Sequence, residues 1–402
     1  MDLEFQKLVQ AAAPRPSSRL DVEAMWERAG RQRVARRLVA ASFVMVLAAT
    51  AWWIAQGGHV SELLEDRSVG PAGQENGNDA STKTTQDAPR GKLYLENLCG
   101  NIGDCSLTII DLDAGTARIL ALPELALGDS QFRIVRSGRK LVFRGSTSQS
   151  TGSDVAAFAL DLDLEEPPQN IGESWYLVPS ATEGRIWLAI LDPESPGSER
   201  ALEGVREVTV EGEVTVPDIP LPVGRWSTLV GAAQEALVFQ GDEGLEVWDP
   251  FKRNVVMRLP GSFLADAHGS VIAWCDVGCK EFNITDVTTS ESLVVPPGEG
   301  FSFIETNYGA FSPDGSLLAV PVVTDATGRT QLALVDVDQG TASVIKGSEL
   351  DSAYGSITWS SSGNWIFFNA GNHKVMTYQT GSAEAEVLPV EIERPFFGVT
   401  AS

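Results

Sequence analysis

The stretch "AFSPDGSLLAV", residues 310–320, decides how the rest of the chain is read. A short β-prone run, "YGAFS", meets Pro313-Asp314-Gly315 and turns into the apolar run "LLAVPVV". Proline presets φ for the first corner of a tight turn and glycine accepts positive φ at the next, so the two runs fold back as a hairpin. A third run, "QLALVDV", follows and ends in Asp338-Gln339-Gly340, and a fourth, "ASVIK", completes a unit of four short strands.

The same order recurs from residue 92 onward. "ITWSSSGNWIFF" (357–368) has Ser-Ser-Gly-Asn where the first unit has Ser-Pro-Asp-Gly. "FRIVRSGRKLVFRG" (132–145), "YLVPSATEGRIWLAI" (176–190), "TLVGAAQEALVFQG" (228–241) and "FLADAHGSVIAWC" (263–275) repeat strand, polar turn, strand. Inner strands are expected near residues 131, 176, 226, 262, 308, 355 and 396, at intervals of 45, 50, 36, 46, 47 and 41. Four-stranded propeller blades repeat at about 40–45 residues. "AFSPDGSLLAV" resembles the repeat of WD40-like propellers, in particular the TolB type, in which Ser-Pro-Asp-Gly joins the inner strand to the next. The Gly-His and Trp-Asp pair of WD40 repeats survives only as the isolated Trp248-Asp249 and Ala267-His268-Gly269, so the resemblance implies a fold and carries no function.

The ends fit a closed ring. "KLYLEN" enters at Lys92 as a second strand without an inner one, and "PFFGVTA" (395–401) is an inner strand without a blade after it. Joining them gives an all-β, seven-bladed propeller over 92–402, with no sheet edge left open at the seam.

Charge and hydropathy place the segments before it. The chain has 30 Lys plus Arg and 54 Asp plus Glu; residues 1–56 hold eight and five of these, leaving 22 basic against 49 acidic side chains in the remainder. A surface so acidic repels phosphate backbones, which excludes nucleic acid as a partner of the main domain. Residues 38–55, "LVAASFVMVLAATAWWIA", carry no charge and nearly span a bilayer core of about 30 Å as a helix. Arg31, Arg33, Arg36 and Arg37 precede the run, while Trp52 and Trp53 end it, which sets the N-terminus in the cytoplasm. The competing reading is a cleaved export signal, with Ala49-Thr50-Ala51 as the cut; the 37-residue lead and the two tryptophans beyond the cut favour a retained anchor. The expected organisation is a cytoplasmic tail at 1–37, a transmembrane helix at 38–56, a Gly/Ser/Asn/Asp-rich tether at 57–91, and an extracytoplasmic propeller on a single-pass membrane protein.

In the tail, "RLDVEAMWERAGRQRVARR" resembles the cytoplasmic segments of single-pass actinobacterial envelope proteins, some of them similar to anti-sigma factors. A helix started by Asp21 would align Val22, Met25, Trp26 and Ala29, a stripe able to dock a cytoplasmic regulator or simply to lead into the anchor. The His/Cys cluster of zinc-type anti-sigma domains is missing, since no Cys precedes Cys99.

Little in the propeller points to a reaction. Cys99/Cys105 and Cys275/Cys279 each bracket a loop between a second and a third strand, which predicts two local disulfides in an oxidising compartment rather than a metal site. His59 lies in the tether, and His268 and His373 fall in turns of different blades. No Gly-x-Ser-x-Gly elbow occurs, and "GDSQ" (128–131) reads as a turn before an inner strand. "DLDAG" (111–115) and "DVDQG" (336–340) resemble the start of calcium loops but recur at one place in the repeat, as turns do; calcium is the one cofactor left open and none is expected. "NIT" (283–285) matches a glycosylation sequon inside a strand.

The expected function is non-enzymatic binding or scaffolding, with loops at the propeller face taking an envelope protein or a small ligand. Trp175, Tyr176, Trp226, Trp359 and Phe397 lie near inner strands, and any that open onto the channel mouth are candidate contacts. The alternatives are a transmembrane, anti-sigma-like regulator using the tail, and a propeller enzyme of hydrolase or cyclase type.

Overall fold

A computed structural model describes residues 88–401, apart from 98–105, 123–124, 127–133, 148–154, 162–165, 192–201, 223–225, 227, 242, 306–307, 351–355, 371–373 and 394–395. The expected tail, anchor and most of the tether lie outside the described residues, with Met25, Trp26, Arg31, Arg33, Arg36, Arg37, Trp52, Trp53 and His59. So do Cys99, Cys105, His373 and the side chain of Phe397. Among the described residues no helix is long and apolar enough to cross a membrane.

Seven antiparallel sheets form the blades of a propeller. In blade 1 the strands Lys92–Asn97, Ser106–Asp111 and Thr116–Ala121 follow one another outward, and the inner place is filled by Phe396–Ala401 from the end of the chain. The register Leu93↔Ala401, Tyr94↔Thr400, Leu95↔Val399 and Glu96↔Gly398 closes the ring, as the sequence predicts. Blades 3, 4, 5 and 7 are meanders whose inner strands are Tyr176–Pro179, Thr228–Ala233, Ser262–His268 and Ile357–Trp359.

Position in the blade explains composition. Second strands are covered by the adjacent blades on both faces, so Arg185–Leu191 (RIWLAIL) and Leu317–Thr324 (LLAVPVVT) are nearly continuous apolar runs, buried through their centres. Fourth strands meet solvent, and Asn254–Pro260 alternates half-buried with exposed positions. The core is a chain of clusters between neighbouring blades. Tyr94 and Leu107 of blade 1 pack on Leu141, Phe143 and Phe158 of blade 2, while Leu93 and Leu95 pack on Phe367 and Val375 of blade 7.

Blades 2 and 6 depart from the expected plan. Single inner strands starting near 131 and 308 are predicted, and in each case the inner strand comes in two pieces. Leu125–Ala126 and Val135–Ser137 both pair with Lys140–Thr147, and Phe301–Phe303 and Ala310–Phe311 both pair with Leu317–Thr324.

Candidate ligand-binding mouth of the channel

Every inner strand runs the same way around the ring, so the propeller has an upper end, where the chain enters inner strands, and a lower end, where it leaves them. At the lower end several turns bind their own polar side chains. Ser312 Oγ donates to Asp314 Oδ1 (2.6 Å) and accepts the Leu317 amide (2.9 Å), and Asp314 Oδ1 accepts the Ser316 amide (3.1 Å). These bonds to Ser312 and Ser316 hold the Asp314 carboxyl down at about 2. Blade 7 builds the same turn without the aspartate: Ser360 Oγ accepts the Trp365 amide at 3.1 Å, and the Gly363 amide donates to the Ser360 carbonyl at 2.9 Å.

Third strands end at this side in a repeated aspartate. Asp111 Oδ1 accepts the Ala114 amide (2.9 Å), Asp249 Oδ1 the Lys252 amide (2.9 Å), Asp286 Oδ1 the Thr288 amide (2.7 Å), and Asp336 Oδ1 the Gln339 amide (2.8 Å). Bonds from Ser270 and Thr288 lower the Asp286 pKa strongly. At Asp249 burial pulls upward, but the bonds and charge of Lys252 prevail and lower it. "DLDAG" and "DVDQG" are thus turns that end third strands, their first carboxylates bound to backbone amides. Among the described residues no group of three or more His, Cys, Asp or Glu side chains is placed to hold a metal ion.

The channel wall and upper end are irregular instead. In blade 6 the register passes from Phe303↔Val322 to Ala310↔Ala319, so six positions separate the two inner pieces where only Val320 and Pro321 separate their partners. Pro321 has no N–H to offer a ladder, and pairing with the inner strand breaks beside it. The surplus chain is tied toward blade 5: the Gly309 amide donates to the Ala265 carbonyl (3.0 Å) and the Phe311 amide to Asp266 Oδ2 (2.8 Å). Above it, Glu305 Oε1 accepts the Gly278 amide at 2.5 Å. Gly278 lies in the loop closed by the disulfide Cys275–Cys279, whose Cα atoms are 5.1 Å apart, and the loop presents Val277, 65% exposed. The predicted bridge at this pair is therefore present, and its loop presents the Gly278 amide to the Glu305 carboxylate.

The aromatic candidates separate by environment. Trp175 and Tyr176, half-buried, open the inner strand of blade 3 at the upper end. The Arg144 guanidinium sits 4.7 Å from the centre of the Trp175 ring and donates to the Trp175 carbonyl. Trp226 is buried: its ring stacks on Phe239 (4.3 Å) and meets Trp248 edge-on (5.5 Å), while Nε1 donates to Glu246 Oε2 (2.6 Å). Trp359 is buried with Nε1 donating to the Ala310 carbonyl (2.8 Å). His268 ends its strand at the lower side, its ring 5.9 Å from that of Phe311. The residues at the upper end that a sequence reading passes over are Arg144, Glu305 and Glu96; the signal for one of them was Pro321, out of place in a central strand.

No protein-family model matches the chain, and no curated protein matches it. Solved structures do, 989 chains in all, a breadth that belongs to an architecture rather than to one activity. A prolyl endopeptidase is 12% identical, with 75% of this chain and 49% of that one covered and a TM-score of 0.53. Apo AztD from Citrobacter koseri is 15% identical over 77% of this chain and 97% of its own, with a TM-score of 0.44. TolB from Acinetobacter baumannii is 10% identical over 77% and 66%, also at 0.44. The chain spans about half the length of the endopeptidase it matches. The endopeptidase likeness, at 12% identity, shows a shared fold and nothing more.

Proposed function

We propose that this chain is a membrane-anchored, extracytoplasmic binding propeller without an activity of its own, taking an envelope protein or small ligand at the upper mouth of its channel. The observation that carries this reading is the interrupted inner strand of blade 6. The register there holds more residues on the inner side than on the partner strand, and Glu305 and Gly309 are tied to Gly278 and Ala265 of blade 5. Departures from a repeat that are held in place mark grafted sites. Trp175, held against Arg144, adds a rigid aromatic surface at the same end. The anchor rests on the uncharged run 38–55 and the arginines before it.

The test is crosslinking and co-purification of the full-length protein from membranes, beside a version lacking residues 1–30 and a Trp175→Ala, Glu305→Gln variant. Envelope partners retained on truncation and lost in the double variant are expected. A cytoplasmic partner lost on truncation would instead make the chain a transmembrane regulator working through Met25 and Trp26. Peptide hydrolysis is checked with a proline-containing peptide library, since an endopeptidase shares the fold; cleavage by the purified chain would overturn the non-enzymatic reading.

A further inference from the structure

The outside of blade 4 has a character of its own. Its fourth strand, Asn254–Pro260, stands last in its sheet, so no described strand pairs with its outer edge. The turn before it and the strand together, residues 251–260, read FKRNVVMRLP, with three cations and no acid. Residues after 56 as a whole hold 22 basic side chains against 49 acidic ones, so this stretch runs against the charge of its domain. Phe251 is 56% exposed and is the only aromatic among the exposed large apolar side chains of the described residues; Val256, on the strand itself, is 41% exposed.

The turn holds these groups in place. Asp249 Oδ1 accepts the amides of Phe251 (3.0 Å) and Lys252 (2.9 Å), and Arg253 carries the chain round at φ 56°. Lys252 Nζ reaches Asp249 Oδ2 at 2.8 Å and Arg258 Nε reaches Glu246 Oε1 at 2.9 Å. Both carboxylates belong to the third strand and are mostly covered, while the two cationic side chains remain 76% and 62% exposed on the outside. Among the described residues no ion pair involves Arg253. Other outer strands are guarded against pairing: Val214–Pro220 in blade 3 carries Pro217 and Asp218, Ser292–Val295 in blade 5 runs into Pro296-Pro297, and Glu386–Val387 in blade 7 has two residues. Edge cations alone would be such a guard, but a guard has no use for an exposed phenylalanine, and aromatic rings beside arginine are the composition of contact surfaces.

We infer that the outer edge of blade 4 is a docking site for an extended acidic segment of a partner protein. The segment adds as a fifth strand beside Asn254–Pro260, sets its carboxylates against Lys252, Arg253 and Arg258, and packs an apolar side chain on Phe251. Strand addition supplies main-chain hydrogen bonds, and alternate side chains of the incoming segment supply the choice of partner. Charge selects the acidic class: the rest of the domain repels such a segment, and this strand attracts it, which fixes where it lands more than how tightly it holds. The surface lies on the outside of the ring, separate from the upper mouth, and stands whatever that mouth binds.

The probe is a short fluorescent peptide of repeating Glu-Val-Glu-Thr, with a Gln-Val-Gln-Thr peptide beside it, titrated with the full-length protein and read by anisotropy. The acidic peptide is expected to bind, and to bind about tenfold more weakly to Phe251→Ala and to Arg253→Asn. Asparagine tolerates positive φ, so the second variant removes the charge and leaves the turn unstrained. Lys374→Gln, which removes the same charge from an exposed site in blade 7, should bind as the wild type does. Hydrogen exchange with the peptide bound should slow at residues 254–260 and leave the outer strands of the other blades unchanged. No binding of the acidic peptide, equal binding of its glutamine counterpart, or equal weakening in Lys374→Gln and Arg253→Asn overturns the inference. So does protection spread over several blades, and so does displacement of the peptide by glycerol phosphate, which would assign the cations to a lipid headgroup.

Discussion

The imidazole of His268 packs against Gly315: a Cβ built on that glycine, which sits at φ +75°, would stand 2.8 Å from His268 Cδ2. The turn that defines the repeat is thus pressed against the end of the inner strand of the preceding blade. Gly315→Ala should destabilise the propeller by about 2 kcal/mol or more, from positive φ and the clash together. Gly381→Ala, at φ +83° with open space around it, carries the backbone strain alone. In urea unfolding the first should cost more than the second, and adding His268→Ala should remove most of the difference.

Asp314 makes the same turn pH-sensitive. Its carboxyl is held at about 2 by Ser312 and Ser316, against an ordinary value of 3.8, so its contribution is complete above about pH 4 and is lost as pH falls through about 2. Asp314→Asn should lower the urea midpoint at pH 6 and leave it closer to wild type near pH 2. The side chain is exposed and bonded only to Ser312 and Ser316, so the effect is confined to the turn. A midpoint difference that stays constant from pH 6 to 2 would show that the carboxylate contributes nothing through its charge.

The blade count and the closing strand were legible because they rest on local chemistry: the Ser-Pro-Asp-Gly turn at 312–315, short β-branched and aromatic runs between polar turns elsewhere, and a strand at each end of the repeat array that lacks its blade partners. Glu96 was not legible. In "KLYLEN" it reads as one polar position of an alternating strand, whereas both faces are covered by neighbouring blades and its partner Gly398 lies at the far end of the chain. Trp226 was ambiguous for another reason. It precedes its strand, Thr228–Ala233, where alternation does not yet govern direction, and only packing on Phe239 and Trp248 assigns it to the core. The split strand of blade 6 did leave a mark in Pro321, hidden inside an apolar run.

The disulfide of blade 5 closes a loop with a sequence separation of only 4, so the loop-entropy argument gives it about 2 kcal/mol. Its larger effect is local. Cys279 is held at φ 44°, and the Gly278 amide is aimed at Glu305. Cys275→Ser, Cys279→Ser should lower the melting temperature modestly while increasing exchange of the Gly278 amide and of residues 304–309 by a much larger factor. Uniform loosening of blade 5 with no excess at 304–309 would separate the disulfide from the channel wall.

Trp226 and Trp175 make opposite predictions, and together they divide core from mouth. Trp226→Ala removes a ring stacked 4.3 Å from Phe239 and 5.5 Å from Trp248 in the cluster joining blades 3 and 4, and should cost about 3–5 kcal/mol. Trp226→Phe keeps the stacking but loses the 2.6 Å bond to Glu246, a carboxylate that retains Arg258 at 2.9 Å, so about 1–2 kcal/mol is expected. Trp175 is half-buried and outside that cluster, and Trp175→Ala should cost less than Trp226→Ala while abolishing partner capture. Guanidinium unfolding alongside co-purification reads both axes. Capture lost in Trp226→Phe at a concentration where the protein is fully folded would move the binding surface to blade 4; capture kept in Trp175→Ala would remove it from the upper rim of blade 3.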